Sequence, residues 1–254
     1  MTINPVLIDW GIITIRWYGV MYLLGIGLGA LYAYPKLSHR FGWSVSEFTQ
    51  VVSDCVFGVL IGGRLGYVCL YDWAYYAANP LQIGAVWNGG MSFHGGLIGV
   101  GLAIALNARR LKVSVWPLLD CIGVASTIGL GLGRIGNFIN GELGGRVTTM
   151  PWGSWLVSPD GLSRHPSQLY EAFLEGGCLF ICLHLAYKHA RLADGQLIGL
   201  FAMLYSLFRF VGEWFREPDA QLGFVLGWLT MGQVLSVVMG AIGVIIWVSR
   251  SSRE

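Results

Sequence analysis

The chain has 254 residues, of which 55% are hydrophobic and only 12% are charged. An average soluble domain is about 25% charged, so this composition excludes an ordinary water-soluble enzyme and a disordered scaffold and predicts that lipid is the main solvent. The formal net charge of +2 excludes a strongly basic nucleic-acid binder. The 37 glycines follow no triplet period and favour close helix packing in a membrane.

Seven apolar segments follow one another along the chain, each near the about 20 residues that cross a bilayer core. They lie at about residues 17–34, 50–71, 91–107, 118–138, 169–187, 197–214 and 229–249. Asp9 precedes the first segment and Lys36 follows it, unlike the basic start and small-residue end of a secretory signal, so we expect this segment to remain as a helix. The sequence predicts an all-α polytopic membrane protein with seven transmembrane helices.

Basic residues near the ends of these segments predict the orientation. Nine of the 16 follow the odd-numbered segments: Lys36, Arg40, Arg109, Arg110, Lys112, Lys188, Arg191, Arg250 and Arg253. Only four lie near the opposite ends: Arg16, Arg146, Arg164 and Arg216. The positive-inside rule then places the N-terminus outside and the C-terminus in the cytoplasm.

The aromatic residues and the longest polar segment fit the same orientation. An outer interfacial belt is predicted from Trp73, Tyr75, Tyr76, Trp87, Trp152 and Trp155. The polar segment at about 139–168 is predicted to form a small extracytoplasmic head. We interpret residues 1–254 as a single membrane-embedded domain.

The cysteines are predicted to be packing residues. All five fall within apolar segments, which does not suggest a disulfide framework: Cys55, Cys69, Cys121, Cys178 and Cys182. Cys178 and Cys182 lie one helical turn apart, but no further ligand at suitable spacing completes a zinc set. We expect neither a metal nor another cofactor.

Arginines inside apolar segments require an explanation, because an arginine near a helix centre costs about 2.5–3.5 kcal/mol on insertion scales. Arg134 and Asn137 are three residues apart and share a helix face. The surrounding glycines, at 131, 133 and 136, permit another backbone or a lipid headgroup to approach. The helix is predicted to end after Asn140, with Glu142 and Arg146 at its outer mouth. The alternative is packing glycines with a structural Arg–Glu pair.

The sixth segment carries a polar stripe at helical spacing: Tyr205, Arg209, Glu213 and Arg216. One interpretation is an Arg209–Glu213 pair that lowers the burial cost. The other is that Arg134 and Arg209 together clamp a lipid phosphate. Arginine suits this role because its planar fork binds phosphate oxygens bidentately and stays protonated when desolvated.

Three further polar residues leave alternatives open. His94, flanked by glycine pairs, is either a packing residue or a group that takes a proton near neutral pH. His165 either orients the head or caps the fifth segment through Ser167. Arg64 either contacts a headgroup or pairs with an acidic residue, Asp54 or Glu47.

The motifs together resemble the prolipoprotein diacylglyceryl transferase family of bacterial membranes. The most specific stretch is 133–142, followed by Gly145 and Arg146; the other matching stretches are 16–19, 62–64, 92–97, 164–171, 209–213 and 216–219. The resemblance covers nearly the whole chain in order. Two features depart from the family pattern: Gly144, where a bulky residue is expected, and a short head loop between Arg146 and Arg164.

The resemblance implies an enzyme that moves the diacylglyceryl group of phosphatidylglycerol onto a cysteine thiol. That cysteine belongs to the lipobox of a preprolipoprotein signal peptide; a thioether forms and glycerol 1-phosphate is released, as the first step of lipoprotein maturation. The implied location is the bacterial cytoplasmic (inner) membrane, with the site toward the periplasm.

The resemblance also assigns residues. The family's essential groups fall on Tyr18, His94, Arg134, Asn137, Glu142, Gly145, Tyr205, Arg209 and Glu213. We predict catalytic roles for His94, Arg134 and Arg209. We predict lipid binding by Arg134 and the other six, together with Arg64 and Arg146. Arg134 and Arg209 would stabilise the leaving phosphate and assist ionisation of the thiol. His94 would take the thiol proton, or would hydrogen-bond the headgroup while the phosphate takes it. Asn137 with Glu142 would orient the arginines.

A transporter or flippase for an anionic lipid or solute is the alternative function, using the same arginines as a binding site. We find no repeat between the two halves of the sequence, which disfavours a transporter built from inverted repeats. The unusual residues also cluster toward the predicted outer half of the membrane. A non-catalytic scaffold would not need buried arginines.

Overall fold

A computed structural model of the chain describes residues 3–11, 14–153, 160–218, 224–225 and 227–251. The helices described are α1 (Trp17–Phe41), α2 (Val45–Leu70), α3 (Trp73–Ala78), α4 (Phe93–Arg110), α5 (Val115–Asn140), α6 (Ser167–His189), α7 (Gln196–Gly212) and α8 (Met231–Ser251). Two antiparallel strand pairs join β1 (Val6–Asp9) to β2 (Thr14–Arg16) and β3 (Phe224–Val225) to β4 (Leu229–Thr230). Three residues that figure in the predictions above lie outside these ranges: Trp155, Arg253, and Asp219 at the end of the stretch 216–219.

The predicted helical class is confirmed, since each apolar segment overlaps one of the seven long helices. Five of these helices are long and apolar enough to cross a membrane: α1, α2, α5, α6 and α8. The other two, α4 and α7, are shorter, with 18 and 17 residues. The chain is therefore a multi-pass helical protein, while the count of seven spans and the orientation stay predictions.

The lipid environment explains the side chains that the helices expose. Leu23 and Leu31 of α1 are 72% and 73% exposed, and Ile245 of α8 is 66% exposed. Soluble proteins rarely expose continuous apolar faces of this kind. These helix faces therefore fit hydrocarbon rather than water.

The chain divides into two compact units, Met1–Ala33 with Asp120–Glu254, and Tyr34–Leu119. In the first unit, an apolar core forms around Val124, Leu179, Leu183 and Leu197. In the second unit, α2 packs along α4. The single domain of the sequence analysis stays a prediction.

Glycine faces bring α2 and α4 together. An added Cβ at Gly66 would lie 2.7 Å from Gly95 Cα, and one at Gly62 would lie 2.8 Å from Gly99 Cα. No larger residue fits these positions without moving a backbone. The small residues recur at intervals of four, which is the spacing that lets membrane helices approach closely.

In the first unit, α5 supplies a cap for α7. Asp120 accepts hydrogen bonds from the backbone N–H groups of Gly195 and Ile198, both at 2.7 Å. Gly195 is the N-cap of α7 and Ile198 lies in its first turn, where the N–H groups have no acceptor within the helix. Asp120 thus fixes the start of the helix that carries Arg209.

Candidate active site

A close approach of two glycines places Arg134 beside α6. A Cβ built on Gly176 would lie 2.6 Å from Gly131 Cα, so α5 and α6 nearly touch at this point. Arg134 follows Gly131 by one helical turn, and Glu175 directly precedes Gly176. Gly131, one of the glycines that the sequence indicated, therefore serves helix packing, and this packing brings the guanidinium to two carboxylates.

Glu171 bridges the two predicted arginines. Its Oε2 lies 3.0 Å from Arg134 Nε, and its Oε1 accepts a hydrogen bond of 2.6 Å from Arg209 Nη1. The carboxylate is 2% exposed and the arginine side chains are 17% and 13% exposed. The structure thus brings Arg134 and Arg209 together through one buried acid.

Glu175 is the second acid between the same arginines. Its Oε2 accepts a hydrogen bond of 3.2 Å from Arg134 Nη2, while its Oε1 is buried and makes no hydrogen bond, with Arg209 Nη1 3.5 Å away. Glu175 lies in a π-helical stretch of α6, Ala172–Cys178. Such turns are rare and are found frequently at functional sites.

The predicted pair of Arg209 and Glu213 is confirmed. Arg209 Nη2 donates to Glu213 Oε1, and Thr230 donates its hydroxyl to Glu213 Oε2 at 2.8 Å. Arg216 Nη1 lies 3.9 Å from Glu213. The predicted polar stripe does not lie on one continuous helix, because α7 ends at Gly212 and Glu213 forms its C-terminal cap.

Tyr205 lies one turn before Arg209 on α7, as predicted. Its ring stacks on Phe201 with centroids 5.9 Å apart. Its hydroxyl is within electrostatic range of Glu175, Arg209 and Arg134. Tyr205 therefore belongs to the arginine site.

A second polar group forms at the end of α5. Glu142 accepts hydrogen bonds from Asn137 Nδ2 at 3.2 Å and Asn140 Nδ2 at 3.1 Å. Tyr18 of α1 interacts with Asn137 and Glu142, and its hydroxyl lies 3.0 Å from that of Tyr22. The end of α5 at Asn140 is confirmed.

The expected function of Asn137 and Glu142 in orienting the arginines needs correction. Glu142 accepts its hydrogen bonds from two asparagines, whereas the carboxylates that hold the arginines are Glu171, Glu175 and Glu213. The cause is the crossing of α5 and α6, which places α6 rather than the end of α5 beside Arg134.

The head segment between α5 and α6 places Gly145 and Arg146. Gly145 pairs with Arg216 in a β-bridge, and a Cβ at Gly145 would overlap the carbonyl oxygen of His165. Arg146 donates from Nε to the Arg216 carbonyl at 3.0 Å, and its guanidinium lies over the Phe224 ring.

The head also contains an exposed ion-pair cluster. Arg164 pairs with Asp160 at 2.5 Å and with Glu217 at 3.2 Å. The hydrogen bond to Asp160 raises the pKa of Arg164, so the pair stays ionised. It joins the head to the segment after α7.

His165 orients the head rather than capping α6. Its Nδ1 lies 3.3 Å from the Tyr170 hydroxyl and its ring packs against Phe215. Ser167 instead donates its hydroxyl to the Leu143 carbonyl at 3.2 Å. Of the two alternatives for His165, the structure supports the first.

Arg64 does not pair with Asp54 or Glu47, and its contacts disfavour headgroup binding. Its guanidinium donates to the backbone carbonyls of Gln82, Ile83, Ala85, Gly89 and Gly90. A guanidinium has five N–H donors, so all of them are used. The side chain is 4% exposed and lies over the Tyr76 ring, which indicates that Arg64 shapes the segment before α4.

His94 lies in the second unit, in the first turn of α4. Ser92 caps this turn by accepting the backbone N–H of Gly95 at 3.2 Å. The His94 ring packs edge-on against Phe93, with centroids 5.7 Å apart. Its action beside the arginines stays a prediction.

Glu171 and Glu175 are site residues that were not predicted from the sequence. Both are acids inside an apolar segment, four residues apart and therefore on one helix face. The same burial cost that drew attention to the arginines applies to buried acids, and it is the signal that identifies them. Among the described residues, no group of three or more His, Cys, Asp or Glu side chains is arranged to hold a metal ion.

Comparison with known proteins agrees with the resemblance. The family model described as prolipoprotein diacylglyceryl transferase matches residues 5–249. A phosphatidylglycerol–prolipoprotein diacylglyceryl transferase of Geobacter sulfurreducens is 46% identical over 99% of this chain and 97% of its own length.

Two further relatives carry the same name. One from Wolbachia pipientis subsp. Culex pipiens is 46% identical over 97% of this chain and 95% of its own length. One from Nitratidesulfovibrio vulgaris strain DP4 is 47% identical over 98% of this chain and 94% of its own length. The chain therefore belongs to the prolipoprotein diacylglyceryl transferase family.

Proposed function

We propose that this protein transfers the diacylglyceryl group of phosphatidylglycerol to the cysteine thiol of a prolipoprotein. The observation that carries the proposal is the pair of largely buried guanidiniums, Arg134 of α5 and Arg209 of α7, which are held together by Glu171 of α6. The names of the relatives support the same reaction. The acceptor is the lipobox cysteine of the signal peptide.

The reaction exchanges one bond at a glycerol carbon for another. The thiol sulfur attacks the carbon of the diacylglyceryl group that bears the phosphate; the C–S bond forms, the C–O bond breaks, and the phosphate leaves with its glycerol as glycerol 1-phosphate. The thiol proton passes to His94 or to the leaving phosphate. A free thiol has a pKa of about 8.5, so positive charge near the sulfur increases the fraction that is present as the reactive thiolate.

The arginines retain donors for the phosphate. In the contacts described above, Arg134 uses Nε and Nη2, and Arg209 uses Nη1 and Nη2. Arg134 Nη1 and Arg209 Nε remain to donate to phosphate oxygens. Donors fixed in a dry site stabilise charge that develops on a leaving group, and this is a large contribution to catalysis.

The remaining site residues surround the lipid headgroup in this proposal. Tyr18 and Tyr205 position lipid oxygens, while the Asn137–Glu142 pair binds the glycerol hydroxyls. Arg146 at the head faces the anionic headgroup region. The protein acts in the bacterial inner membrane, with seven spans and its site toward the periplasm.

The test is a transfer assay with the purified full chain, phosphatidylglycerol and a lipobox peptide. We expect a thioether-linked lipid on the peptide cysteine and release of glycerol 1-phosphate. Arg134→Lys and Arg209→Lys should each lower turnover by at least about 100-fold, because lysine cannot reproduce bidentate phosphate binding. The matched control is Arg110→Lys, since Arg110 pairs with Asp54 at a helix end and is 46% exposed.

Two results would contradict the proposal. The first is full turnover in both arginine variants, and the second is the absence of a thioether while the protein moves phosphatidylglycerol between leaflets, which would favour the transporter. His94→Gln separates the two proton routes: near-complete loss assigns the proton to His94, and substantial residual turnover assigns it to the phosphate.

A further inference from the structure

In the described ion pairs around Arg134 and Arg209, positive and negative side chains are equal in number. Three arginines and three glutamates form one connected cluster: Arg134, Arg209, Arg216, Glu171, Glu175 and Glu213. With every group ionised, its net charge is zero. A phosphodiester brings one negative charge, so its arrival leaves the cluster with an uncompensated charge in a site from which water is largely excluded. An uncompensated buried charge is strongly destabilising.

Glu175 is the acid best placed to correct this imbalance. Both oxygens of Glu171 and both oxygens of Glu213 have partners. Glu175 Oε1 makes no hydrogen bond although the side chain is 0% exposed. Protonation of this oxygen would therefore break no hydrogen bond within the cluster.

The groups that face Glu175 come from three helices. They are Arg134 of α5, Glu171 of α6, and Arg209 and Tyr205 of α7. The guanidiniums of both arginines lie beside this carboxyl while no lipid is bound. When a phosphate occupies their free donors, the guanidinium charge is shared with the phosphate, and the carboxyl is left beside Glu171 and a new anion.

We propose that Glu175 takes up one proton from the aqueous phase when the phosphodiester of an anionic lipid binds between Arg134 and Arg209. The cluster then carries one positive charge that matches the single negative charge of the phosphodiester. Glu175 is a positioning residue for the lipid, acting through the arginines. The inference rests on the proposed function, since it assumes that the arginines bind the lipid phosphate.

The first measurement is the affinity of the full chain for dioctanoyl phosphatidylglycerol between about pH 7 and 8.5, above the ordinary titration range of histidine. Uptake of one proton weakens binding about tenfold for each unit of rising pH. In Glu175→Gln the side chain is uncharged and keeps an N–H donor at every pH, so the affinity of this variant for the lipid should change less than about twofold over this range.

Glu217→Gln is the control variant. It removes an acid that lies outside the cluster, pairs with Arg164 and is 55% exposed. We expect it to keep both the affinity and the pH dependence of the wild type. Equal slopes in wild type and Glu175→Gln would overturn the inference, as would a wild type whose affinity does not depend on pH.

A second measurement needs no variant. Calorimetric titration of the wild type with the same lipid, in two buffers of different ionisation enthalpy, gives the number of protons bound per lipid. We expect a value near one, and zero overturns the inference even if Glu175→Gln fails to fold. If transfer occurs normally while no proton is bound, the proposed function stands and only the role of Glu175 is wrong; if no lipid binds, both are wrong.

Discussion

Glu171 holds both arginines, so the consequence of losing it can be predicted at the level of one residue. Glu171→Ala leaves two guanidiniums in a buried site without their shared partner. Removing one partner of a buried ion pair costs about 3–5 kcal/mol. We therefore expect a large fall in thermal stability in detergent and a loss of transfer activity of at least about tenfold.

The head provides a control for this prediction. Glu217→Ala removes an acid that pairs with Arg164 but is 55% exposed. Exposed pairs contribute up to about 1 kcal/mol, so the unfolding temperature should change little. An equally small effect of Glu171→Ala would contradict the view that this carboxylate organises the site.

Two adjacent glycines in the head allow a second prediction. A Cβ at Gly145 would overlap the His165 carbonyl oxygen and lie 2.7 Å from the Phe215 carbonyl oxygen. Gly145→Ala must therefore displace the bridge between the head and the segment after α7, and we expect it to lower transfer activity more than tenfold.

Gly144→Ala is the neighbouring control, because a Cβ there meets no atom within 4 Å. It should leave activity and stability nearly unchanged. Lack of room for a Cβ therefore does not explain why glycine stands here instead of the bulky residue of the family pattern. A severe defect in Gly144→Ala would show that sensitivity here has a cause other than packing.

The arginines and their neighbours show what the sequence can predict of a site. Arg134, Arg209 and the Arg209–Glu213 pair could be predicted, because their cost in an apolar segment is local information. The partnership with Glu171 and Glu175 could not be derived from spacing, because it depends on the crossing of α5 and α6. The role of Arg64 was also inaccessible, since its acceptors are backbone carbonyls that leave no signature in side-chain chemistry.

At the scale of elements, hydropathy predicts the long helices but not where they end. The first apolar segment was predicted to stop near residue 34, whereas α1 continues to Phe41. Backbone hydrogen bonds continue through polar residues that lie beyond the hydrocarbon layer, so a helix is longer than its apolar segment. The short helix α3 lies outside the seven apolar segments, and it was not predicted from the sequence.

The contact between α2 and α4 depends on glycine, which leads to a prediction for this pair of helices. A Cβ at Gly62 would overlap the Gly95 carbonyl oxygen. Gly62→Ala should therefore separate the helices and lower the unfolding temperature, even though alanine is intrinsically better than glycine in a helix by about 1 kcal/mol.

Gly101→Ala in α4 is the matched substitution, because a Cβ there meets nothing within 4 Å. It should keep or slightly raise the unfolding temperature. Thermal unfolding of both variants in the same detergent is the measurement. Equal stability of Gly62→Ala and the wild type would mean that the two backbones do not need this close approach.

At the scale of the whole molecule, the distribution of basic residues predicts the orientation. Lys36 and Arg40 lie at the C-terminal end of α1, and Arg110, Lys188 and Arg250 lie at the corresponding ends of α4, α6 and α8. A helix dipole also favours cations at C-terminal ends, whichever side of the membrane they face. The positive-inside rule adds the side, and it predicts that these ends are cytoplasmic.

Labelling of single cysteines in intact cells tests this orientation. In a chain whose five native cysteines are replaced by alanine, a cysteine is placed at Asn79, Arg110, Asp160 or Lys188, which are all exposed. A maleimide that does not cross the inner membrane should label positions 79 and 160 in cells with a permeabilised outer membrane. Positions 110 and 188 should react only after lysis, because they lie at ends rich in Lys and Arg. The opposite pattern would contradict the predicted orientation, and it would place the arginine site toward the cytoplasm rather than toward the periplasm as proposed.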